Sequence, residues 1–119
     1  MGLFNFKKKE DDKKSKVEKF LSSMDHAYKS VQQMPQEELD GYRKGYNLIY
    51  AKDHEVKAVL LLDYFTVCMP RLDLANADDD DELVSSVFDL WNIPKERVKE
   101  LRRHMKLHPL PNEIRDKWY

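Results

Sequence analysis

The feature that most constrains the fold is the segment 54–69, HEVKAVLLLDYFTVCM, which contains sixteen residues and no turn signal. Strands usually run about 3–10 residues, so a single strand of this length would be unusual. Asp53 stands before the segment as a candidate N-cap, and Pro70 follows it as a stop. The segment therefore predicts a mostly buried helix. Its β-branched and aromatic residues would also suit a hairpin over 46–67, and that alternative stays open at this point.

Apolar residues recur at helical spacing in the rest of the chain as well. A capping box from Ser15 to Glu18 opens the first amphipathic stripe, which runs to about Gln33. Pro35 starts a second stripe, and two more follow the acidic residues 78–82 and Pro94. The sequence therefore predicts an all-α fold: a compact bundle of about five helices with a short C-terminal turn.

The first fourteen residues are much more highly charged than the rest of the chain. Three lysines, three acids and two lysines follow one another over 7–14. Such a density of charge leaves too little apolar surface to form a core. We therefore expect a mobile, lysine-rich tail over 1–14 and a single helical domain over 15–119.

Two glycines lie four residues apart on the second predicted helix. Gly41 and Gly45 each cost up to about 1 kcal/mol relative to alanine inside a helix. The missing side chains predict a close approach of a neighbouring helix at both positions. A strand or turn is the competing explanation.

The cysteine and histidine residues do not form a recognisable site in the sequence. Cys68 is the only cysteine, so neither an intramolecular disulfide nor a cysteine-based zinc site can form. Because it lies in the apolar segment 54–69, we expect a buried structural thiol. His104 and His108 are four residues apart but lack a third ligand at suitable spacing, so we interpret them as surface histidines.

The densest group of acidic residues consists of Asp78, Asp79, Asp80, Asp81 and Glu82, hereafter the acidic cluster. One interpretation is a helix start, with Asp80 or Asp81 as the N-cap and the other acids solvated. On that interpretation, changing Asp78 and Asp79 to asparagine should alter stability by no more than about 0.5 kcal/mol. The second interpretation is a docking patch for a basic protein partner. The third is a divalent-cation site, although the glycine and distal glutamate of a calcium-binding EF-hand loop are missing.

The N-terminus offers a different kind of contact. Leu3, Phe4 and Phe6 precede Lys7, Lys8 and Lys9, and this order of apolar and basic residues suits a weak membrane-surface contact. Position six lacks the serine or threonine of the myristoylation pattern. The sequence therefore offers a peripheral membrane tether as an alternative function.

The order of features over 56–105 resembles that of tellurite-resistance-B-like (TerB-like) helical domains. An apolar helix is followed by an acidic loop, an amphipathic helix, a short break and the sequence Ile-Pro-Lys-Glu-Arg-Val at 93–98. The family's Asp-Gly signature is replaced here by Leu-Ala-Asn-Ala at 74–77. The resemblance implies an all-α module that works through contacts, in a stress or defence system.

No Ser-His-Asp order, glycine-rich phosphate loop or nucleophile elbow is present. A net charge of −1 gives no global field for nucleic acid, and no basic stripe with interleaved aromatics recurs in the predicted domain. No stretch reaches about 18 apolar residues, so no transmembrane helix is expected. The sequence thus predicts a cytoplasmic, non-enzymatic module without a cofactor that docks a protein partner. The peripheral membrane protein and the divalent-metal-binding protein are the alternatives.

Overall fold

The computed structural model describes residues 18–118, and every regular element in that range is helical. In chain order these elements are α1 over 18–32, α2 (Gln36–Gly45), α3 (Asp53–Cys68), a 3₁₀ turn (Pro70–Leu72), α4 (Glu82–Asp89), α5 (Lys95–Leu107), α6 (Asn112–Arg115) and a second 3₁₀ turn (Asp116–Trp118). The predicted all-α fold of five longer helices and a short C-terminal turn is confirmed for this range. The predicted tail over 1–14 and the capping box at Ser15 lie outside the described residues.

Helix α3 is the centre of the core, and it excludes the hairpin over 46–67. Ten of its sixteen residues are buried. A helix that is apolar on nearly all sides needs neighbours on nearly all sides, which is why the other helices pack around it. Pro70 ends it as predicted, but the predicted cap at Asp53 is wrong. Lys52 holds the cap position, and its backbone N–H donates to Glu55 Oε1 at 2.9 Å.

Aromatic contacts fix the position of α1 on this core. The rings of Phe20 and Phe65 lie 4.7 Å apart, which joins α1 to α3. Tyr28 packs on Trp91 at 5.0 Å and joins α1 to the end of α4. Phe20 and Phe65 are almost fully buried, and burial of each such side chain contributes about 1.5–3 kcal/mol. Helix α1 is therefore held at two separated points along its length.

Three charged side chains are buried in the core, and each has a partner. Glu55 accepts from Arg97 of α5, and Asp63 accepts from the Tyr46 hydroxyl at 2.7 Å. Arg102, the third, binds Asp79 and the Leu74 carbonyl in the segment that precedes α4. Over residues 18–118, no buried side-chain polar atom is left without a hydrogen bond. Burial, followed by the charge and hydrogen bond of Asp63, raises the pKa of Tyr46 well above its ordinary value.

The two glycines of α2 have different surroundings. A Cβ atom on Gly45 would lie 2.9 Å from Leu110 Cδ1 and 3.3 Å from Ile114 Cδ1. The prediction of a close approach is therefore confirmed at Gly45, where the C-terminal segment packs against α2. It is wrong for Gly41, because nothing lies within 4 Å of a Cβ atom built there.

Candidate functional site

The acidic cluster begins helix α4, as one of its three interpretations predicts. Asp81 is the N-cap, and its carboxylate Oδ1 accepts a hydrogen bond from the backbone N–H of Leu83 at 2.9 Å. This bond satisfies one of the N–H groups that a helix start leaves without an intrahelical partner. Glu82 is the first helical residue, where the helix dipole favours a negative charge.

Two further acids of the cluster connect the loop before α4 to helix α5. Asp79 Oδ1 accepts from Arg102 Nη1 at 2.8 Å, and Arg102 Nη2 donates to the Leu74 carbonyl at 3.1 Å. Asp80 pairs with Lys95 at the start of α5, and the hydrogen bond from that lysine lowers the pKa of Asp80. The expectation that Asp79 lies free of the fold is therefore wrong, since it neutralises a guanidinium group that is only 5% exposed.

The remaining acids, Asp78 and Glu82, are exposed. Beside the cluster is a cavity of about 220 Å³, with an apolar floor that includes Phe88 and Val98 and a rim that includes Asp89. In residues 18–118 no group of three histidine, cysteine, aspartate or glutamate side chains is placed to hold a metal ion. The geometry thus gives three of the five acids a structural role, and partner docking by the cluster stays a prediction.

A large groove lies between α1, α2 and α3 of the described chain, and it is hereafter called the docking groove. Its volume is about 1010 Å³. Its lining consists of Ser22, Ser23, His26, Ala27, Ser30 and Val31 of α1, Gln33, Met34 and Pro35 of the following loop, Glu38 and Tyr42 of α2, Leu60, Leu61 and Tyr64 of α3, and Lys117. The groove follows one side of α1 for most of its described length.

The docking groove has an apolar floor and a polar rim. The floor is formed by side chains that also belong to the core, among them Val31, Leu60 and Leu61. Serine hydroxyls and one histidine of α1 line the opposite edge, and the Ser30 hydroxyl donates to the His26 carbonyl at 3.2 Å. An apolar floor with a few polar groups around it is typical of a binding site for an amphipathic ligand.

Cys68 lies at the end of α3, one helical turn beyond Tyr64 of the docking groove. It is exposed, so the prediction of a buried structural thiol is wrong. The apolar segment ends there, and the side chain leaves the core just before Pro70 stops the helix. Burial raises the pKa of the Tyr64 phenol, and the charge and hydrogen bond of the Cys68 thiol add to that rise.

The two histidines of α5 pack against each other. The rings of His104 and His108 lie 4.6 Å apart, and His104 Nε2 is 2.8 Å from the Tyr46 carbonyl oxygen. His108 is exposed and His104 is half-buried. The prediction of a surface histidine is thus confirmed for His108, while His104 fastens α5 to the loop after α2.

The membrane contact predicted for Leu3, Phe4, Phe6, Lys7, Lys8 and Lys9 lies outside the described residues. Within 18–118, no helix is both long enough and apolar enough to cross a membrane.

Some residues of the site had no signal in the sequence. Arg102 and Asp79 are 23 residues apart, and Arg97 and Glu55 are 42 apart. Nothing local marks Arg102 as buried or Arg97 as the partner of Glu55. The docking groove is of the same kind, because its lining brings α1 together with α3, which is not next to α1 in the chain.

A comparison with protein-family models finds no match, and comparisons with curated proteins and with solved structures find no significant match either.

Proposed function

We propose that this protein is a small, non-enzymatic interaction module that binds an amphipathic helix of a protein partner in the docking groove. The observation that carries the proposal is the groove itself, with its volume of about 1010 Å³ and its apolar floor. Pockets for small molecules have volumes of about 300–1,000 Å³ and enclose most of the ligand. This groove is at the upper end of that range and is open along one side, which favours a longer ligand.

The length of the groove supports a helix as the occupant. The wall runs from Ser22 of α1 to Gln33 in the turn that follows this helix, which corresponds to about 17 Å at 1.5 Å per residue. About three turns of a partner helix would fill that length. In this mode of recognition, side chains at i, i+3, i+4 and i+7 of the partner insert into an apolar groove.

The rim adds polar contacts suited to the edges of such a helix. Ser22, Ser23 and Ser30 offer hydroxyl groups along the α1 wall, while Glu38 and Lys117 offer one charge of each sign. Serine hydroxyls both donate and accept hydrogen bonds, so the α1 wall can pair with either donors or acceptors on the partner helix. Specificity then comes mainly from the shape of the apolar floor.

We also propose that the chain is TerB-like and that it acts in a stress or defence system. Both proposals agree with a module that works through contacts. Docking of a basic partner on the acidic cluster is the competing site for the same function, and the following experiment distinguishes the two.

The test replaces Ser30 by tryptophan, which fills the groove from its rim. The matched control is Lys29→Trp, because Lys29 is the adjacent exposed residue and lies outside the groove. Its ion pair with Asp25 is a surface pair, and such pairs contribute little. Proteins captured from native cells by the unmodified chain and by Lys29→Trp, but not by Ser30→Trp, are the expected partners. A peptide carrying the partner's amphipathic helix should then reproduce the binding.

A third variant, Asp78→Asn with Glu82→Gln, removes the two outward acids. If partner binding survives Ser30→Trp but is lost in this variant, the acidic cluster is the binding site. Binding that none of the variants changes would contradict both sites.

A further inference from the structure

The exposed apolar side chains of the described chain are not evenly spread. Four large ones stand out: Leu21 at 45% exposure, Ile49 at 64%, Tyr50 at 98% and Leu107 at 70%. Scattered single apolar residues are normal on a protein surface, whereas a group of them marks a contact site. Ile49 and Tyr50 are adjacent in the chain, and Leu107 belongs to the helix that the same loop contacts.

The loop between α2 and α3 is built to hold Ile49 and Tyr50 outward. Tyr46 and Leu48 are buried on the inner side of the loop. The Ala51 N–H donates to the Leu48 carbonyl at 3.1 Å, which closes a tight turn with Ile49 and Tyr50 at its centre. Turn centres usually carry glycine, proline, asparagine, aspartate or serine. Two large apolar residues there gain little from the fold, because Tyr50 is almost fully exposed and Ile49 is mostly exposed.

Helix α5 lies beside this turn. His104 Nε2 is 2.8 Å from the Tyr46 carbonyl oxygen, so the two segments touch just before the turn. Arg103 and Leu107 are four residues apart and share the α5 face adjacent to His104. Both are exposed. The apolar turn and the exposed Leu107 therefore both lie within a few residues of the contact between the Tyr46 carbonyl and His104.

Basic residues lie close to these apolar ones in the chain. Lys44, Lys52, Arg103 and Lys106 are exposed, and none of them forms an ion pair with any residue of 18–118. The nearest acids are mostly neutralised: Asp53 pairs with Arg43, and Glu100 pairs with Arg97. Glu96 is an unpaired acid of α5 and lies toward its other end. The surroundings of Ile49, Tyr50 and Leu107 thus carry a local positive charge although the whole chain is nearly neutral.

We propose that Ile49, Tyr50 and Leu107 form a contact surface for an anionic lipid bilayer, with the neighbouring cations binding lipid headgroups. Tyrosine suits the headgroup level of a bilayer, since its ring is apolar and its hydroxyl is polar. Aliphatic side chains beside it enter the outer acyl region, and lysine and arginine are attracted to negative headgroups. This surface shares no residue with the docking groove, so the proposal stands apart from the proposed function.

The experiment measures co-sedimentation of the full chain with vesicles of phosphatidylcholine containing about a third phosphatidylserine. The double change Ile49→Ser with Tyr50→Ser should lower partitioning at least about tenfold, because it removes two large apolar side chains from the contact. The control is Leu21→Ser, which removes an exposed apolar residue of α1 and should leave partitioning unchanged. Lys52→Gln with Arg103→Gln should lower partitioning about tenfold at low salt and weaken its dependence on salt.

Three results would overturn the proposal. Equal binding to vesicles of phosphatidylcholine alone would show that the cations do not bind anionic headgroups. Loss of binding on changing Leu3, Phe4 and Phe6 to serine, with no effect of the changes at Ile49 and Tyr50, would assign the contact to the N-terminal segment alone. Absence of vesicle binding, together with self-association that the changes at Ile49 and Tyr50 abolish, would make the surface a contact between copies of this chain.

Discussion

Asp78 and Asp79 are neighbours of identical chemistry with different roles. Asp79 pairs with buried Arg102, while the side chain of Asp78 is exposed. Asp79→Asn should therefore lower the free energy of unfolding by about 1–3 kcal/mol, because the guanidinium group loses its neutralising charge in a buried position. Asp78→Asn should change it by no more than about 0.5 kcal/mol. Urea unfolding of the two variants measures the difference, and equal midpoints would contradict the pairing.

Glu55 should make the stability depend on pH in the acid range. The hydrogen bonds from Arg97 lower the pKa of Glu55 in the folded chain, and its side chain is only 8% exposed. Its contribution is fully present above the ordinary glutamate pKa of about 4.3 and is lost as pH falls through the lower folded pKa. Urea midpoints measured from neutral to acid pH should therefore fall less steeply in Glu55→Gln than in the unmodified chain. Glu113→Gln, at an exposed position, is the control and should leave the slope unchanged.

The residues that could be predicted from the sequence are those whose role is local. A cap at Asp80 or Asp81 follows from acids that stand directly before an apolar periodic run, and the structure places it at Asp81. The role of Asp79 could not be predicted, because its partner lies 23 residues further along the chain. The apolar neighbours of Cys68 predict a buried thiol. The residue lies at the very end of α3, however, where it is exposed.

The cap of α4 gives a prediction at the scale of an element. Helix α4 is only eight residues long, so its start carries a large share of its stability. Asp81→Ala removes the hydrogen bond to the Leu83 N–H and should lower the free energy of unfolding by about 0.5–2 kcal/mol. Asp81→Asn keeps an acceptor and should recover most of that loss. Urea unfolding that shows both variants equal to the unmodified chain would contradict the capping role.

The two glycines of α2 give a matched pair. Gly41→Ala should raise the free energy of unfolding by about 0.5–1 kcal/mol, because the new methyl group meets nothing and alanine favours a helix. The free energy of unfolding of Gly45→Ala should be at least about 1 kcal/mol lower than that of Gly41→Ala, because Leu110 would have to move away. Thermal and urea unfolding of both variants measure this order. A free energy of unfolding that is higher for Gly45→Ala than for Gly41→Ala would contradict the packing of the C-terminal segment on α2.

A helix could be predicted where the residue pattern that specifies it lies within one continuous segment. The length of the apolar segment over 54–69 and the proline after it suffice to predict α3, and this sixteen-residue helix excludes the competing hairpin over 46–67. The docking groove could not be predicted. It exists because Phe20 and Tyr28 hold α1 at two points and leave one side of that helix uncovered, and neither contact has a local sequence signature.

Three separate surfaces lie within residues 18–118: the docking groove, the acidic cluster, and the turn at Ile49 and Tyr50. They share no residues, so a bound ligand can be assigned to one of them by a residue-resolved measurement. Cys68 is the only cysteine and lies one turn from Tyr64 of the groove. A single label there reports on the groove without any added cysteine.

The most direct test of the central claim is an NMR titration of the full chain with the amphipathic helix of a captured partner. The account predicts chemical-shift changes that concentrate at Ala27, Val31 and Tyr64, accompanied by a change in the fluorescence of a polarity-sensitive dye on Cys68. Ser30→Trp should abolish both changes, and Lys29→Trp should preserve them. Shift changes confined to Asp78–Glu82, or to Ile49 and Tyr50, would contradict the claim that the groove is the docking site.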